Sequence, residues 1–362
     1  MTGFWLTTSG DDLTPRAPLD GRRRADVVVV GGGFSGLWTA WYLLEHDPAL
    51  DVLVIEAETV GFGASGRNGA WLSPGLGVTP AELARRTSPG IAAATIHAMR
   101  DTVDEVGRVC AEAGIDAQLR RGGILRIARG PHERPALDAG LRVMRELGVD
   151  DGLVLLDPAE LRQRVMITGA EGALFDPYGA VMHPGRLVRW LARRLEERGA
   201  TIVEGTRVTE VREGPPLPSV VTDRGEVSAD AVVLATEAWL PQLPGHARDV
   251  LPLYSLIVLT EPVDDARWAR IGWQGHECLS SHRYTVDYLS RTVDGRVLFG
   301  GRGAPYHYGS SVAPRYDHHE PTHALLRRQL VDWFPALEGV AIAHEWGGPL
   351  AMPRDWMPSF RF

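Results

Sequence analysis

The pattern of apolar and polar positions predicts a βαβ unit near the start of the chain. Its first strand is a run of four valines, which is typical of a strand buried on both faces of a sheet. Apolar residues then recur at helical spacing, and a second β-branched run follows. The unit consists, in order, of a strand, a glycine-rich turn, a helix and a second strand: residues 26–30, 31–36, 37–45 and 51–55.

Outside this unit, the pattern alternates between α/β stretches and mixed stretches. Residues 1–25 are polar and contain prolines, so we expect an extended arm there. Pro184 opens a helical pattern that Gly199 ends, and another helix is expected over 321–334. This alternation predicts two interleaved, discontinuous domains. The strands expected after the Pro184 helix are 201–204, 207–212 and 229–235.

The composition is that of a globular protein of about two domains. The chain has 362 residues, and its formal net charge of -8 disfavours a nucleic-acid surface. All 38 basic residues are arginines, which excludes enzymes that need a lysine, such as Schiff-base enzymes. No uninterrupted apolar run reaches the roughly 18 residues of a membrane span. We therefore expect a cytoplasmic protein with neither a nucleic-acid nor a membrane partner.

The glycine-rich turn carries a dinucleotide-binding fingerprint. Gly31, Gly33 and Gly36 stand between a strand and a helix, where glycine lets the backbone turn tightly and approach a pyrophosphate at the helix N-terminus. Glu56 follows Gly36 by 20 residues, the spacing of an acid that binds the 2′-hydroxyl of an unphosphorylated ribose. A tight turn without a ligand is the simpler alternative. FAD and NAD both use this fingerprint.

A second glycine-rich loop favours FAD. Residues 61–69, with the sequence GFGASGRNG, come soon after Glu56, where an NAD-binding domain would usually continue into its next crossover helix. Together the two loops resemble the FAD-dependent D-amino-acid oxidase and glycine oxidase superfamily, and most closely its gamma-glutamylputrescine oxidase-like branch. Five further stretches carry the resemblance: 235–239, 251–255, 299–303, 346–349 and 353–356.

The resemblance implies a mixed α/β fold. A Rossmann-like FAD-binding domain would be interleaved with an antiparallel-sheet substrate domain. The FAD-binding domain would comprise residues 1–75, 184–250 and 340–362, and the substrate domain residues 76–183 and 251–339.

The resemblance also implies an oxidoreductase that oxidises a C–N bond of a small amine or amino acid. Hydride would pass to N5 of a noncovalent FAD, and the imine would hydrolyse to an aldehyde or keto acid. Oxygen, forming hydrogen peroxide, or another acceptor would take the electrons. Neither Cys110 nor Cys278 lies in a motif for covalent flavin attachment.

Positions that match the family's motifs give the expected site residues. Glu237 departs from the family pattern, because relatives more widely have glycine there. On the substrate side, Arg302 would bind a carboxylate through its planar guanidinium, and a surface ion pair is the alternative. The other candidate catalytic residues are Tyr254, His344 and Trp346, for which core packing is the alternative. The expected cofactor-binding residues are Gly31, Gly33, Phe34, Ser35, Gly36, Glu56, Ala57, Gly63, Ser65, Arg67, Asn68, Gly69, Val208, Ala235 and Thr236.

One further pattern is typical of a different function. Residues 319–323 spell the HExxH pattern of zinc proteases, but Pro321 keeps His319 off the helix that would carry His323. We therefore expect no metal.

The superfamily continues beyond the segment that matches 355–358, so the resemblance also predicts weakened FAD binding. A truncated flavoprotein with weak or no turnover is the alternative function, and an NAD-dependent dehydrogenase is a more distant one.

Overall fold

The structure is a computed structural model that describes residues 3–282, 286–302 and 306–357. Side-chain caps begin several of its helices: Thr79, Ser88, Asp157 and Asp264 each accept a hydrogen bond from a first-turn N–H. The helices are α1 (Phe4–Thr7), α2 (Phe34–His46), α3 (Pro80–Arg86), α4 (Pro89–Glu112), α5 (Arg134–Glu146), α6 (Pro158–Arg164), α7 (Pro184–Glu197), α8 (Asp265–Ile271) and α9 (Glu320–Trp333).

The strands form one sheet of six, one of eight and a two-stranded pair. They are β1 (Gly21–Val30), β2 (Val52–Ile55), β3 (Trp71–Leu72), β4 (Ile124–Ala128), β5 (Val154–Leu156), β6 (Gly172–Asp176), β7 (Ala180–Val181), β8 (Thr201–Val203), β9 (Val208–Arg212), β10 (Ser219–Thr222), β11 (Gly225–Leu234), β12 (Val250–Thr260), β13 (Cys278–Ser281), β14 (Asp287–Arg291), β15 (Val297–Arg302) and β16 (Ile342–Pro353).

The six-stranded sheet has the order β8-β2-β1-β11-β10-β9. Its first four strands are parallel, while β10 and β9 continue it as antiparallel strands. Helices α2 and α7 pack their apolar faces on it, with Leu37 and Leu191 fully buried. The predicted βαβ unit over 26–56 is therefore confirmed. β1 begins at Gly21 rather than at residue 26, because Gly21–Ala25 pair with β11.

The eight-stranded sheet has the order β16-β12-β15-β14-β13-β4-β6-β5. Its described pairs are antiparallel except for β13 with β4. Helices α8 and α9 cover one face, where Trp273, Phe299 and Trp333 are fully buried. The mixed α/β fold, with a Rossmann-like sheet beside a mainly antiparallel one, agrees with the predicted fold class.

One predicted domain segment has a different neighbour in the structure. Residues 340–362 were expected with the FAD-binding domain, yet β16 pairs with β12 along its length, from Val250↔Pro353 to Thr260↔Ile342. Its backbone still reaches the first sheet's loops, because the N–H of Ala351 donates to Glu237 at 2.7 Å. β16 thus lies at the boundary between the two sheets.

The N-terminal segment is less extended than the sequence pattern predicts. It contains α1, whose Phe4, Trp5 and Leu6 are buried. Asp11 then forms an ion pair with Arg189 of α7 at 2.6 Å. The segment is therefore packed against the body of the protein. No helix in the described ranges has the length and apolar character needed to cross a membrane.

Candidate functional site

A cleft opens at the carboxyl ends of the parallel strands β1, β2 and β11, the edge at which open α/β sheets bind ligands. It is lined by eleven of the fifteen predicted cofactor-binding residues: Gly31, Gly33, Phe34, Ser35, Glu56, Ala57, Gly63, Ser65, Val208, Ala235 and Thr236. The other four predicted residues, Gly36, Arg67, Asn68 and Gly69, lie outside the lining.

Two glycines of the first loop shape the floor of this cleft. Gly31 has φ +116°, and a Cβ there would lie 2.4 Å from the carbonyl oxygen of Ala235. A Cβ on Gly36 would lie 2.1 Å from the carbonyl oxygen of Gly31. Because these neighbours are backbone atoms, no side chain can be accommodated without moving the loop. Gly36 therefore supports the turn although it does not line the cleft.

Ser65 joins the second glycine-rich loop to the first. Its hydroxyl accepts a hydrogen bond from the N–H of Phe34 at 2.8 Å, at the first residue of α2. Gly33 leaves room for this contact, since a Cβ on it would lie 3.0 Å from Ser65 Oγ. The N-terminus of α2 thus faces the cleft, with the partial positive charge that attracts phosphate groups.

Glu56 is held at the end of β2 by two backbone donors. Its Oε2 accepts from the N–H of Gly32 at 2.7 Å, and its Oε1 accepts from the N–H of Glu58 at 2.9 Å. Burial raises the pKa of Glu56, while the two donors favour the ionised form and oppose that shift. Each oxygen keeps acceptor capacity for a ribose hydroxyl.

Thr236 presents a polar atom that has no partner. Its Oγ1 is buried, lines the cleft and makes no hydrogen bond in the structure. A buried hydroxyl without a hydrogen-bond partner costs free energy, so this hydroxyl indicates a ligand. Together with the Gly31 turn and Glu56, it fits the phosphate and ribose groups of FAD.

Glu237 lines the cleft, although it was not among the predicted site residues. It has φ +50°, a left-handed conformation that favours glycine. Its carboxylate accepts hydrogen bonds from the N–H groups of Ala238 and Ala351. Although it is exposed to the cleft, the surrounding protein desolvates it and raises its pKa to about 7.

The second half of the glycine-rich loop is held by two indoles. Trp346 donates from Nε1 to the carbonyl oxygen of Arg67 at 2.9 Å, and Trp5 donates from Nε1 to that of Asn68 at 2.8 Å. Gly69 lies against the ring of Tyr288, so a Cβ there would come within 2.4 Å of it. These contacts fix the backbone of the loop between the two sheets.

Arg67 does not line the cleft, and its side chain contacts one residue of the second glycine-rich loop and one residue outside it. Its guanidinium pairs with Asp317 at 2.6 Å and lies 4.5 Å from the ring centroid of Phe62. A Cβ on Gly348 would come within 3.2 Å of Arg67 Cδ. Arg67 therefore lies between the second glycine-rich loop and β16.

Three of the four predicted catalytic residues, Tyr254, His344 and Trp346, are not among the residues that line the cleft. Tyr254 is 1% exposed, and its hydroxyl contacts the N–H and carbonyl oxygen of Ala313 at 3.2 and 3.4 Å. His344 is exposed on β16 and lies 4.9 Å from the Phe4 ring, while Trp346 is buried against the loop. Arg302 ends β15, and its side chain lies outside the described part of the chain.

The cleft also has lining residues that the sequence analysis did not assign to it. Trp239 belongs to the stretch 235–239 and Phe62 to the second glycine-rich loop, so sequence motifs could have indicated both residues. Gln242 and Leu243 lie just after that stretch, and no sequence motif indicated them. The unassigned lining residues are Val30, Ile55, Glu58, Phe62, Ala64, Thr206, Arg207, Thr209, Glu237, Trp239, Gln242 and Leu243.

The sequence match to a protein family agrees with this site. Residues 26–362 match the family described as DAO, FAD dependent oxidoreductase. Since the match spans most of the chain, the protein belongs to this family. It is an FAD-dependent oxidoreductase, as the paired glycine-rich loops predicted.

Individual relatives are similar along nearly the whole chain. Gamma-glutamylputrescine oxidoreductase of Escherichia coli is 29% identical over 372 residues, covering 99% of this chain and 81% of that protein. Sarcosine oxidase subunit beta of Rhodobacter capsulatus is 24% identical, covering 93% and 77%. The crystal structure of glycine oxidase from Geobacillus kaustophilus has a TM-score of 0.72 at 21% identity, covering 92% and 85%. The last likeness shows the shared fold.

Proposed function

We propose that this protein oxidises a C–N bond of a small amine or amino acid with noncovalent FAD. The observation that carries the proposal is the cleft in which the Gly31 turn, the Glu56 carboxylate and the unpartnered Thr236 hydroxyl meet. The substrate class is supported by relatives whose names contain sarcosine, glycine and gamma-glutamylputrescine.

Different residues of the cleft would bind different parts of FAD. The N-terminus of α2 and the Gly31 turn would hold the pyrophosphate, Glu56 would accept from the adenosine ribose, and Val208 would lie beside the adenine. Ser65, Arg67, Asn68 and Gly69 would lie on the flavin side. When bound, FAD would supply a two-electron acceptor for hydride from the substrate's C–N carbon. The resulting imine would be hydrolysed by water, and oxygen or another acceptor would receive the two electrons.

On the substrate side, we assign carboxylate binding to Arg302. Its backbone at the end of β15 pairs with Ser255 of β12, and Ser255 Oγ lies 2.8 Å from the hydroxyl of Tyr288. Tyr288 in turn contacts Gly69 of the second glycine-rich loop. The strand end that carries Arg302 is therefore close to the loop expected beside the flavin.

Anaerobic flavin bleaching tests this function. The FAD-loaded protein is mixed with sarcosine, glycine, proline and gamma-glutamylputrescine in turn, and the flavin absorbance is followed. We expect at least one compound to bleach the flavin, and Arg302→Gln to raise the concentration needed for carboxylate-bearing compounds about tenfold or more. Bleaching by none of a broad amine panel would contradict the proposal. Comparing peroxide formation with reduction of an artificial acceptor then identifies the electron acceptor.

A further inference from the structure

Away from the cleft, three potential metal ligands meet between α9 and β16. They are His318, which precedes α9, His323 in its first turns, and Glu345 on β16. One ligand atom from each lies within 4.8 Å of the others. In the described part of the chain, no second group of three histidine, cysteine or acidic side chains lies this close.

The buried histidine of the group is incompletely satisfied. His323 has no exposed surface, and its Nε2 faces the carbonyl oxygen of Trp346 at 3.3 Å. Its Nδ1 is buried and makes no hydrogen bond. The ring of His318 stacks on it, with centroids 4.5 Å apart. Since a buried polar atom without a partner is costly, this nitrogen points to a ligand.

Two imidazoles and one carboxylate are the donors of a zinc-class ion. Bonds of about 2.0–2.1 Å in a tetrahedral site place neighbouring ligand atoms about 3.3 Å apart, so the present cluster must contract. His318 can move to close it, because 55% of its side chain is exposed. We propose that His318, His323 and Glu345 bind a divalent transition-metal ion such as Zn²⁺, with water as the fourth ligand.

The site would be structural, because it joins two elements behind the flavin-side loop. Trp346 follows Glu345, and its indole holds the carbonyl oxygen of Arg67. An ion shared by α9 and β16 would therefore restrain the strand that fixes the loop. Binding of the folded state alone raises the melting temperature.

The positive charge of Arg327 disfavours metal binding at Glu345. Its guanidinium contacts both Glu345 and Glu320, so the metal must displace a cation from Glu345 Oε1 or use the other carboxylate oxygen. Removing this positive charge with Arg327→Gln is expected to tighten Zn²⁺ binding.

The proposed site differs from the HExxH pattern that the sequence contains. The helix α9 begins at Glu320, one residue before the predicted start at Pro321, and His319 is its N-cap residue, outside the helix as expected. The Nδ1 of His319 contacts Thr322 Oγ1 at 2.8 Å. His319 is not one of the three clustered ligands. It therefore offers a matched control, one residue away from His318.

Metal titration of the tag-free, chelator-treated full chain tests the proposal, with and without FAD. Zn²⁺ is followed by calorimetry and Co²⁺ by its visible absorption bands. We expect one equivalent to bind and the melting temperature to rise. His318→Gln, His323→Gln and Glu345→Gln should each weaken binding at least tenfold, while His319→Gln binds like the wild type.

Two results would overturn the site. One is absence of a stoichiometric Zn²⁺ equivalent in the wild type; the other is equal loss in His319→Gln and His318→Gln. His318→Gln keeps the test decisive if the buried His323 variant fails to fold, because His318 is largely exposed. Circular dichroism verifies that each variant is folded before titration.

Discussion

The hydroxyl of Ser65 accepts a hydrogen bond from the N–H of Phe34 at 2.8 Å. This contact joins two glycine-rich loops that are 31 residues apart along the chain. Because Phe34 is the first residue of α2, the second loop caps the helix end that faces the cleft. The two loops are therefore structurally coupled, and a change at Ser65 should affect both stability and cofactor affinity.

Ser65→Ala is expected to lower the free energy of unfolding by about 1 kcal/mol, as for other lost helix caps. It should also weaken FAD binding several-fold, because the loop that carries Ser65 is released from α2. Ser88→Ala is the matched control, since Ser88 caps α4 through the N–H of Ile91 outside the cleft. The control should lose similar stability in urea unfolding and keep its FAD affinity. Equal FAD affinities for both variants would argue against the coupling.

Glu56→Gln should weaken FAD binding by about ten- to a hundredfold, since a hydrogen bond to a charged group contributes about 1.5–3 kcal/mol. The amide of glutamine would also face one of two backbone N–H donors, those of Gly32 and Glu58. Glu210→Gln, which changes an exposed carboxylate on β9, serves as the control. Flavin fluorescence titration measures both. Retention of wild-type FAD affinity in Glu56→Gln would show that the Glu56 carboxylate does not bind the ribose.

Glu237 should make FAD binding depend on pH. The pKa of this acid is raised to about 7, so it is neutral below that pH and gains a negative charge in the cleft above it. We expect FAD affinity to fall as pH rises from 6 to 8.5, because the pyrophosphate is anionic. Glu237→Gln should abolish this dependence when titrated at constant ionic strength. The same slope in wild type and variant would assign the effect to another group.

The raised pKa of Glu237 also affects stability, with a definite sign. Between the ordinary value of 4.5 and about 7, the folded protein binds more protons than the unfolded chain. Stability contributed by this group therefore falls as pH rises through that range. Urea unfolding at pH 5 and 7.5 should show a smaller decrease in Glu237→Gln than in the wild type. An unchanged decrease would mean that the carboxyl titrates normally.

Trp346→Phe should loosen the second glycine-rich loop. The variant loses the indole donor to the carbonyl oxygen of Arg67 and some buried volume, which together cost about 1–3 kcal/mol. Trypsin cleavage after Arg67, whose side chain is largely buried, reports on opening and should become faster. Trp268→Phe is the control, because Trp268 is buried but its Nε1 has no hydrogen-bond partner. Equal acceleration at Arg67 in the control would show only general destabilisation.

Much of the fold could be predicted because its signals are local. The four valines before Gly31, the glycine spacing and Glu56 all lie within 30 consecutive residues, and the structure has the predicted strand, turn, helix and strand. β10 escaped prediction because Ser219–Thr222 is a short strand whose identity depends on pairing with β9 and β11. The neighbour of β16 likewise depends on tertiary pairing with β12.

The site was predictable where sequence spacing determines contact. Ser65 and Thr236 stand in recognisable stretches, and both line the cleft. Gln242 reaches it only because a 3-10 turn follows β11. The cluster of His318, His323 and Glu345 also escaped prediction, since α9 and β16 bring together residues from separate segments.

FAD binding by Gly31→Ala, compared with Gly140→Ala, shows whether the glycine-rich turn in the cleft holds the cofactor. A Cβ at Gly31 would press on the Ala235 carbonyl, whereas one at Gly140 meets nothing within 4 Å. After reconstitution with excess FAD and gel filtration, we expect equal flavin content in the wild type and in Gly140→Ala, and at least tenfold weaker binding in folded Gly31→Ala. A wild-type protein without flavin absorbance, or wild-type binding by Gly31→Ala, would contradict this expectation.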